Sequence, residues 1–251
     1  MGKKINKKTS KKRDYGNDYI SVTEVLGAVR KIGLEMWYKH HSAKECDELS
    51  EKAKEIGTQI HELIESYVKG EEGKVKTKYQ EEVNNGVKSF LKFRKEHPEI
   101  KLEWAEQRIT NDLLELNGTI DCIGKVIDLR VKDLKVKDLK VKDPNVDREP
   151  VIIDWKTGTC KGKDAPEIYT EYILQVGAYS HLYNTNASPR DLVRKAYIVV
   201  LAKDKEAYGL KEVDCEELWQ GYVAFCSLLE YVKNRKELEK MLKKDLKEVK
   251  E

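Results

Sequence analysis

Cysteine is sparse in this chain and poorly spaced for bridging. The five residues Cys46, Cys122, Cys160, Cys215 and Cys226 are odd in number and include no Cys-x-x-Cys pair. This argues against a disulfide framework or a zinc ribbon and for a reduced, cytoplasmic protein. Long apolar runs are missing too: no stretch approaches the length of a membrane span, and the lysine-rich start lacks the apolar region that a secretion signal needs. Nor is there a strong overall charge. The 48 Lys and Arg against 45 Asp and Glu leave +3, so global charge gives no argument for a nucleic-acid partner. The excess sits at one end. Lys3, Lys4, Lys7, Lys8, Lys11, Lys12 and Arg13 stand with no acid among the first 13 residues, and setting those seven aside leaves the other 238 at −4.

At 251 residues the chain is long enough for one well-buried α/β domain and short for two. Charged residues make up 37% of it, Lys and Glu foremost, which fits a very soluble protein and a hot habitat. Residues 1–17 read as a disordered basic arm that either brushes a phosphate backbone or serves only as a solubilising tail, and 18–251 as a single domain. Order begins at Ile20, where Ser21 and Glu24 have capping-box spacing and Ile20 staples onto Val25. A second short helix bears Met36, Trp37 and Tyr38. Residues 42–68 follow a helical pattern, with Ile56, Ile60, Leu63, Ile64 and Tyr67 as an apolar stripe beside a row of Gly57, His61 and Glu65. Gly57 weakens a helix, so its presence implies that something approaches the backbone there. Residues 77–96 give another helix, with Tyr79, Val83, Val87, Phe90 and Leu91 inward, ended by Pro98.

Strand patterns follow. Alternation over 102–109 places Leu102, Trp104 and Glu106 on one face. A second strand, 116–126, carries Asp121 among Ile120, Cys122 and Ile123, and a charge in such company needs a counter-ion. Gly118 relieves crowding there or simply belongs to the turn after Asn117. Three copies of a five-residue unit begin at Val131, Val136 and Val141. A period of five matches neither helix nor strand, so residues 130–145 read as an exposed hairpin insertion. Residues 194–202 form a strand buried on both faces, hence central or parallel, with a weaker one at 208–213 beside it. The helix over 170–183 sets Gln175 and Tyr179 one turn apart. From about 215 the tail is helical, with Leu218, Tyr222, Phe225, Leu229 and Val232 inward and its Lys- and Glu-rich end in solvent.

The chemistry concentrates in Val151-Ile152-Ile153-Asp154-Trp155-Lys156-Thr157-Gly158, a run suited to a buried strand entering a turn. Alternation sends Asp154 and Lys156 to one side and Ile153 and Trp155 to the other. A carboxylate and an ammonium at the mouth of a hydrophobic sheet are suited to hold a divalent cation and orient a water for attack on phosphorus. The plainer alternative is a solvated ion pair capping a core strand.

Five short patterns occur in order: Gly57-Thr58-Gln59-Ile60-His61, Glu106 on its strand, Gly118-Thr119-Ile120-Asp121, Asp154-Trp155-Lys156 and Gln175-Val176-Gly177-Ala178-Tyr179. Together they resemble the RecB-like branch of the PD-(D/E)XK nuclease superfamily over roughly residues 18–202. The set looks closest to small stand-alone exonucleases of phages and archaeal viruses and to mitochondrial genome maintenance exonuclease. Each pattern is weak alone, and their order carries the resemblance. The resemblance implies an α/β restriction-endonuclease-like core, a central mixed β-sheet flanked by helices. It also implies a metal-dependent exonuclease acting on single-stranded DNA or duplex ends, in viral or cellular replication, recombination or repair. Relatives have a tight hairpin where this chain carries its pentapeptide copies.

Carried over residue by residue, the resemblance makes Asp121, Asp154 and Lys156 catalytic. It puts His61, Asp121, Asp154 and the backbone carbonyl of Trp155 on Mg2+ or Mn2+, and the nitrogen ligand makes manganese a good activator. Lys156 either positions the attacking water or stabilises charge in the transition state. Glu65, Glu106, Gln175 and Tyr179 are implied as supporting or DNA-binding residues. Without the resemblance, His61 reads as a satisfied boundary residue, Glu106 as an edge glutamate in water and Tyr179 as a boundary aromatic. The iron-sulfur nucleases of CRISPR adaptation share this core but carry four cluster cysteines, three of them close together near the C-terminus. With only Cys215 and Cys226 there, no iron-sulfur cluster is expected. Two rivals are a structure-selective endonuclease of the junction-resolvase kind and a non-catalytic DNA-binding module descended from a nuclease. The helical histidine and Gln-x-x-x-Tyr favour the exonuclease branch, and the joint presence of His61, Asp121, Asp154 and Lys156 argues against lost catalysis.

Overall fold

Two serines start helices, Ser21 as its spacing predicts and Ser42 as the structure adds. Ser21 Oγ accepts the Glu24 backbone N–H at 3.0 Å, and Ser42 forms a full capping box with Glu45. The structure is a computed structural model that describes residues 19–29, 35, 38–127 and 148–248. The basic arm, Met36, Trp37 and the pentapeptide copies lie outside the described residues. In chain order the elements are β1 (Ile20–Ser21), α1 (Val22–Leu26), α2 (Ala43–Lys69), α3 (Gln80–Glu96), β2 (Ile100–Asn111), β3 (Leu116–Ile127), β4 (Arg148–Gly158), α4 (Thr170–Asn184), β5 (Lys195–Ala202), β6 (Tyr208–Val213) and α5 (Cys215–Glu248). Among the described residues, no helix is long and apolar enough to cross a membrane.

The sheet runs β1-β3-β4-β5-β6, with β2 paired antiparallel to β3. It is mixed: β3–β4 and β5–β6 are antiparallel, while β4–β5 is parallel from Val151 to Gly158. As expected of a strand covered on both faces, β5 is buried from Ala196 to Ala202. One face of the sheet packs against α1, α4 and α5 through Val25, Val176, Leu182, Leu218 and Phe225. The other packs against α2 and α3 through Ile56, Ile60, Ile64, Phe90 and Phe93, with Trp155 edge-on to both phenylalanines. The result is the α/β arrangement expected, a central mixed sheet between two helical layers. On the first face α4 and α5 cross at glycines. A Cβ on Gly177 would lie 2.6 Å from the Tyr222 backbone nitrogen, which only direct backbone contact between helices produces.

Some details depart from the sequence patterns. Tyr67 is 51% exposed and Leu91 46% exposed. The buried line of α3 is Val83, Gly86, Phe90 and Phe93, a helical spacing that turns Leu91 to solvent and brings Phe93 in. Leu102, Trp104 and Glu106 do not share a face. The register slips between Leu102 and Trp104, so Leu102 packs toward α2 and α3 while Trp104 lies outside at 47% exposure. Farther along, both strands change face together. Ile120 packs with α1, α4 and α5, whereas Cys122, two residues on, packs with α2 and α3. The change falls at Asp121 on β3 and opposite it at Glu106 on β2, whose φ is +52°.

Candidate functional site

The face change coincides with a gap in the sheet. β2 occupies one edge of β3 along its length. On the other edge β1 pairs only with Leu116 and Asn117, and β4 only from Cys122 onward. Among the described residues, 118–121 therefore have no strand neighbour on that side, and side chains fill the space. The Trp155 backbone N–H donates to Asp121 Oδ2 at 2.9 Å, the carboxylate standing in for the absent ladder partner. Tyr179, buried and accepting a hydrogen bond from Gln175 at 3.1 Å, lays its ring over Gly118. A Cβ there would lie 2.7 Å from the ring, so Gly118 relieves crowding and is more than a turn residue.

From α2, His61 enters the same gap, its Nδ1 3.9 Å from Asp121 Oδ1. Glu106 completes a group of three whose donor atoms lie within 4.8 Å of one another. A left-handed φ on a glutamate inside a strand costs about 1–3 kcal/mol, and here that backbone carries its carboxylate to Asp121 and His61. Asp154 does not join these three. It is fully buried, Lys156 Nζ lies 2.5 Å from its Oδ2, and neither oxygen accepts a hydrogen bond of good geometry. Lys156 also donates to the Trp155 carbonyl at 3.4 Å and sits 5.5 Å from the Tyr172 ring. One turn beyond His61, Glu65 is paired with Lys69.

A family model described as the PD-(D/E)XK nuclease superfamily matches residues 36–250. The chain belongs to this superfamily. The crystal structure of SSO0001 is similar at 13% identity and a TM-score of 0.37, over 87% of this chain and 78% of that one. No curated protein matches the chain. Membership implies a metal-dependent nuclease that acts on DNA with a divalent ion such as Mg2+ or Mn2+.

The residues of this PD-(D/E)XK protein fit such an ion. One imidazole and two carboxylates are the donor types that magnesium and manganese accept. Two ligands at about 2.1 Å from one ion span at most roughly 4.2 Å, close to the 4.8 Å within which these donor atoms lie. Asp154 supplies a second indication: Lys156 engages its Oδ2, while the buried Oδ1 accepts no hydrogen bond among the described residues and is left for an ion.

The electrostatics agree. Burial, assisted by the Lys156 charge, pushes the His61 imidazole down to about 4, leaving it neutral with a lone pair to give. Its approach to Asp121 is thus not an ion pair. Burial pushes Asp154 up to about 6 against the pull of Lys156, and raises Asp121 against the pull of Lys156 and the Trp155 N–H. Glu106 is raised by burial and by the charges of Asp121 and Glu65, with Lys69 opposing. Burial alone would lower Lys156, but Asp154 and Asp121 outweigh it and hold the ammonium above its ordinary value.

The structure thus brings together His61, Glu106 and Asp121, sets Asp154 and Lys156 against the same gap, and places Glu65, Gln175 and Tyr179 at its margins. The Trp155 carbonyl faces Lys156 and the His61 imidazole. The sequence pattern ranked Glu106 as supporting, whereas geometrically it stands with the histidine and Asp121. The sequence patterns do not single out Tyr172. Its signal was its place on α4, three and seven residues before Gln175 and Tyr179, on one helical face. Gly57 meets less than expected: a Cβ there would touch only Thr157 Oγ1, at an ordinary 3.4 Å.

Proposed function

We propose that this protein is a metal-dependent DNA exonuclease, acting on single strands or duplex ends in viral or cellular replication, recombination or repair. The observation that carries the reading is the convergence of His61, Glu106 and Asp121 with the buried Asp154–Lys156 pair at one break in the sheet. A phosphodiester resists water because its anionic centre repels nucleophiles, so a catalyst must neutralise charge and present an oriented water. A divalent ion held there supplies that neutralisation and makes a water acidic enough to attack at neutral pH.

The chain's own groups do the rest. Trp155 N–H fixes Asp121 through Oδ2 and leaves Oδ1 toward His61. Neutral His61, Glu106, Asp121, Asp154 and the Trp155 carbonyl are the donors for the ion. Lys156, held by Asp154, orients the attacking water and meets the negative charge that builds on phosphorus. Gln175 and Tyr179 brace the strand that carries Asp121. The exonuclease reading is supported by the ordered set of a helical histidine, Gly-x-x-Asp, Asp-x-Lys and Gln-x-x-x-Tyr. Digestion of oligonucleotides labelled at either end, beside a circular single strand, tests it. An exonuclease shortens the linear strands from one end and leaves the circle intact, whereas a cut circle establishes an endonuclease.

A further inference from the structure

Tyr169 and Tyr172 open helix α4 beside Lys156. Tyr169 is the residue before the first helical turn and makes no side-chain capping bond, although Ser, Thr, Asp or Asn would stabilise the helix there. It is instead a large aromatic, 42% exposed. Its ring meets Tyr172 edge-to-face at 5.5 Å and 73°. Tyr172, half-buried, lies on the α4 face that carries Gln175 and Tyr179. Those two are bonded to each other, the Gln175 amide donating to the Tyr179 hydroxyl. The loop before the helix adds an exposed Lys161. The half-buried Tyr172 ring thus adjoins the ammonium that would face a phosphate, and the exposed Tyr169 ring lies next beyond it. An unstacked nucleotide needs this combination, a cation for its phosphate and a flat apolar surface for its base.

We propose that the exposed Tyr169 ring, braced edge-to-face by Tyr172, is a stacking platform for the base next to the scissile phosphate, so that the site takes an unpaired nucleotide in preference to a paired one. A base inside a duplex has both faces covered and cannot use the platform. The proposal rests on the nuclease reading and adds to it what selects the substrate.

Tyr169→Ala is the cleaner variant because Tyr169 does not touch Lys156, and Tyr169→Phe keeps the ring. On a single-stranded oligonucleotide with Mg2+, Tyr169→Ala raises KM about 5- to 150-fold with kcat retained. Tyr169→Phe behaves as wild type, and the preference for single strands over blunt duplex narrows in the alanine variant. An oligonucleotide abasic at the flanking position should already be a poor substrate for wild type, and Tyr169→Ala should make it little worse, since both changes remove one contact. An unchanged KM, a phenylalanine variant as poor as alanine, or losses that multiply between variant and abasic site would each overturn the platform. If wild type hydrolyses nothing, the nuclease reading fails, and binding of a 2-aminopurine oligonucleotide then decides the platform. Fluorescence quenched by wild type and not by Tyr169→Ala supports stacking, and equal quenching refutes it.

Discussion

The Asp121 carboxylate accepts the Trp155 backbone N–H at 2.9 Å, across the gap where β3 and β4 part. One side chain therefore serves the strand through Oδ2 and the site through Oδ1. Substitution separates the two duties. Asp121→Asn keeps an acceptor but loses the charge, so hydrolysis is lost while melting stays at or above wild type, because burial disfavours the charged form. Asp121→Ala also strands the N–H, at about 1–3 kcal/mol, or roughly 2–4 °C in Tm per kcal/mol. Thermal melts beside a nuclease assay check both; equal melting of the two variants would remove the bond from the account.

Glu106 sits at φ +52°, so glycine and alanine there differ in strain though both lose the carboxylate. Glu106→Gly should be more stable than Glu106→Ala by about 1 kcal/mol, and both should bind Mn2+ more weakly than wild type. Melting curves and calorimetric titration with Mn2+ measure the two effects. Unaltered Mn2+ affinity would take Glu106 out of the ligand set.

Whatever binds the folded state alone stabilises it by RT ln(1 + [L]/Kd), about 2.7 kcal/mol at 100 Kd. Mg2+ or Mn2+ should therefore raise Tm in wild type, and the rise should vanish in Asp121→Asn. Melting with and without chelator reads this directly, and a rise that persists in the variant would place the ion elsewhere.

Gly177 faces backbone and not side chains: a Cβ would meet Tyr222 N at 2.6 Å and Leu218 O at 2.7 Å. Helices cannot yield as a flexible side chain does, so Gly177→Ala should cost about 1–3 kcal/mol by forcing α4 and α5 apart. A melting point unchanged from wild type would show that the crossing is looser than described.

Much of this was legible from residue order. The β-branched run at 151–153 marked β4, two-sided apolarity marked β5, capping-box spacing marked α1 and an apolar stripe marked α2. What alternation could not show was the break at Asp121 and Glu106, since a period of two assumes an unbroken pleat. For that reason Trp104 and Glu106 were assigned to one face, and Glu106 ranked below its place in the geometry. Helical spacing likewise misplaced Leu91, because the stripe does not say which way a helix rolls against Phe93 and Trp155. The Tyr169–Tyr172 pair depends on how the loop after Gly158 returns to the sheet, which no local pattern encodes.

The most direct test of the whole account is degradation of an end-labelled DNA strand with Mg2+ or Mn2+ by wild type, Asp154→Ala and Lys156→Ala. Wild type should digest the strand and stop on chelation. Each variant should fall about 100-fold or more, with circular dichroism showing the fold intact. Full activity retained in both variants would contradict the site described.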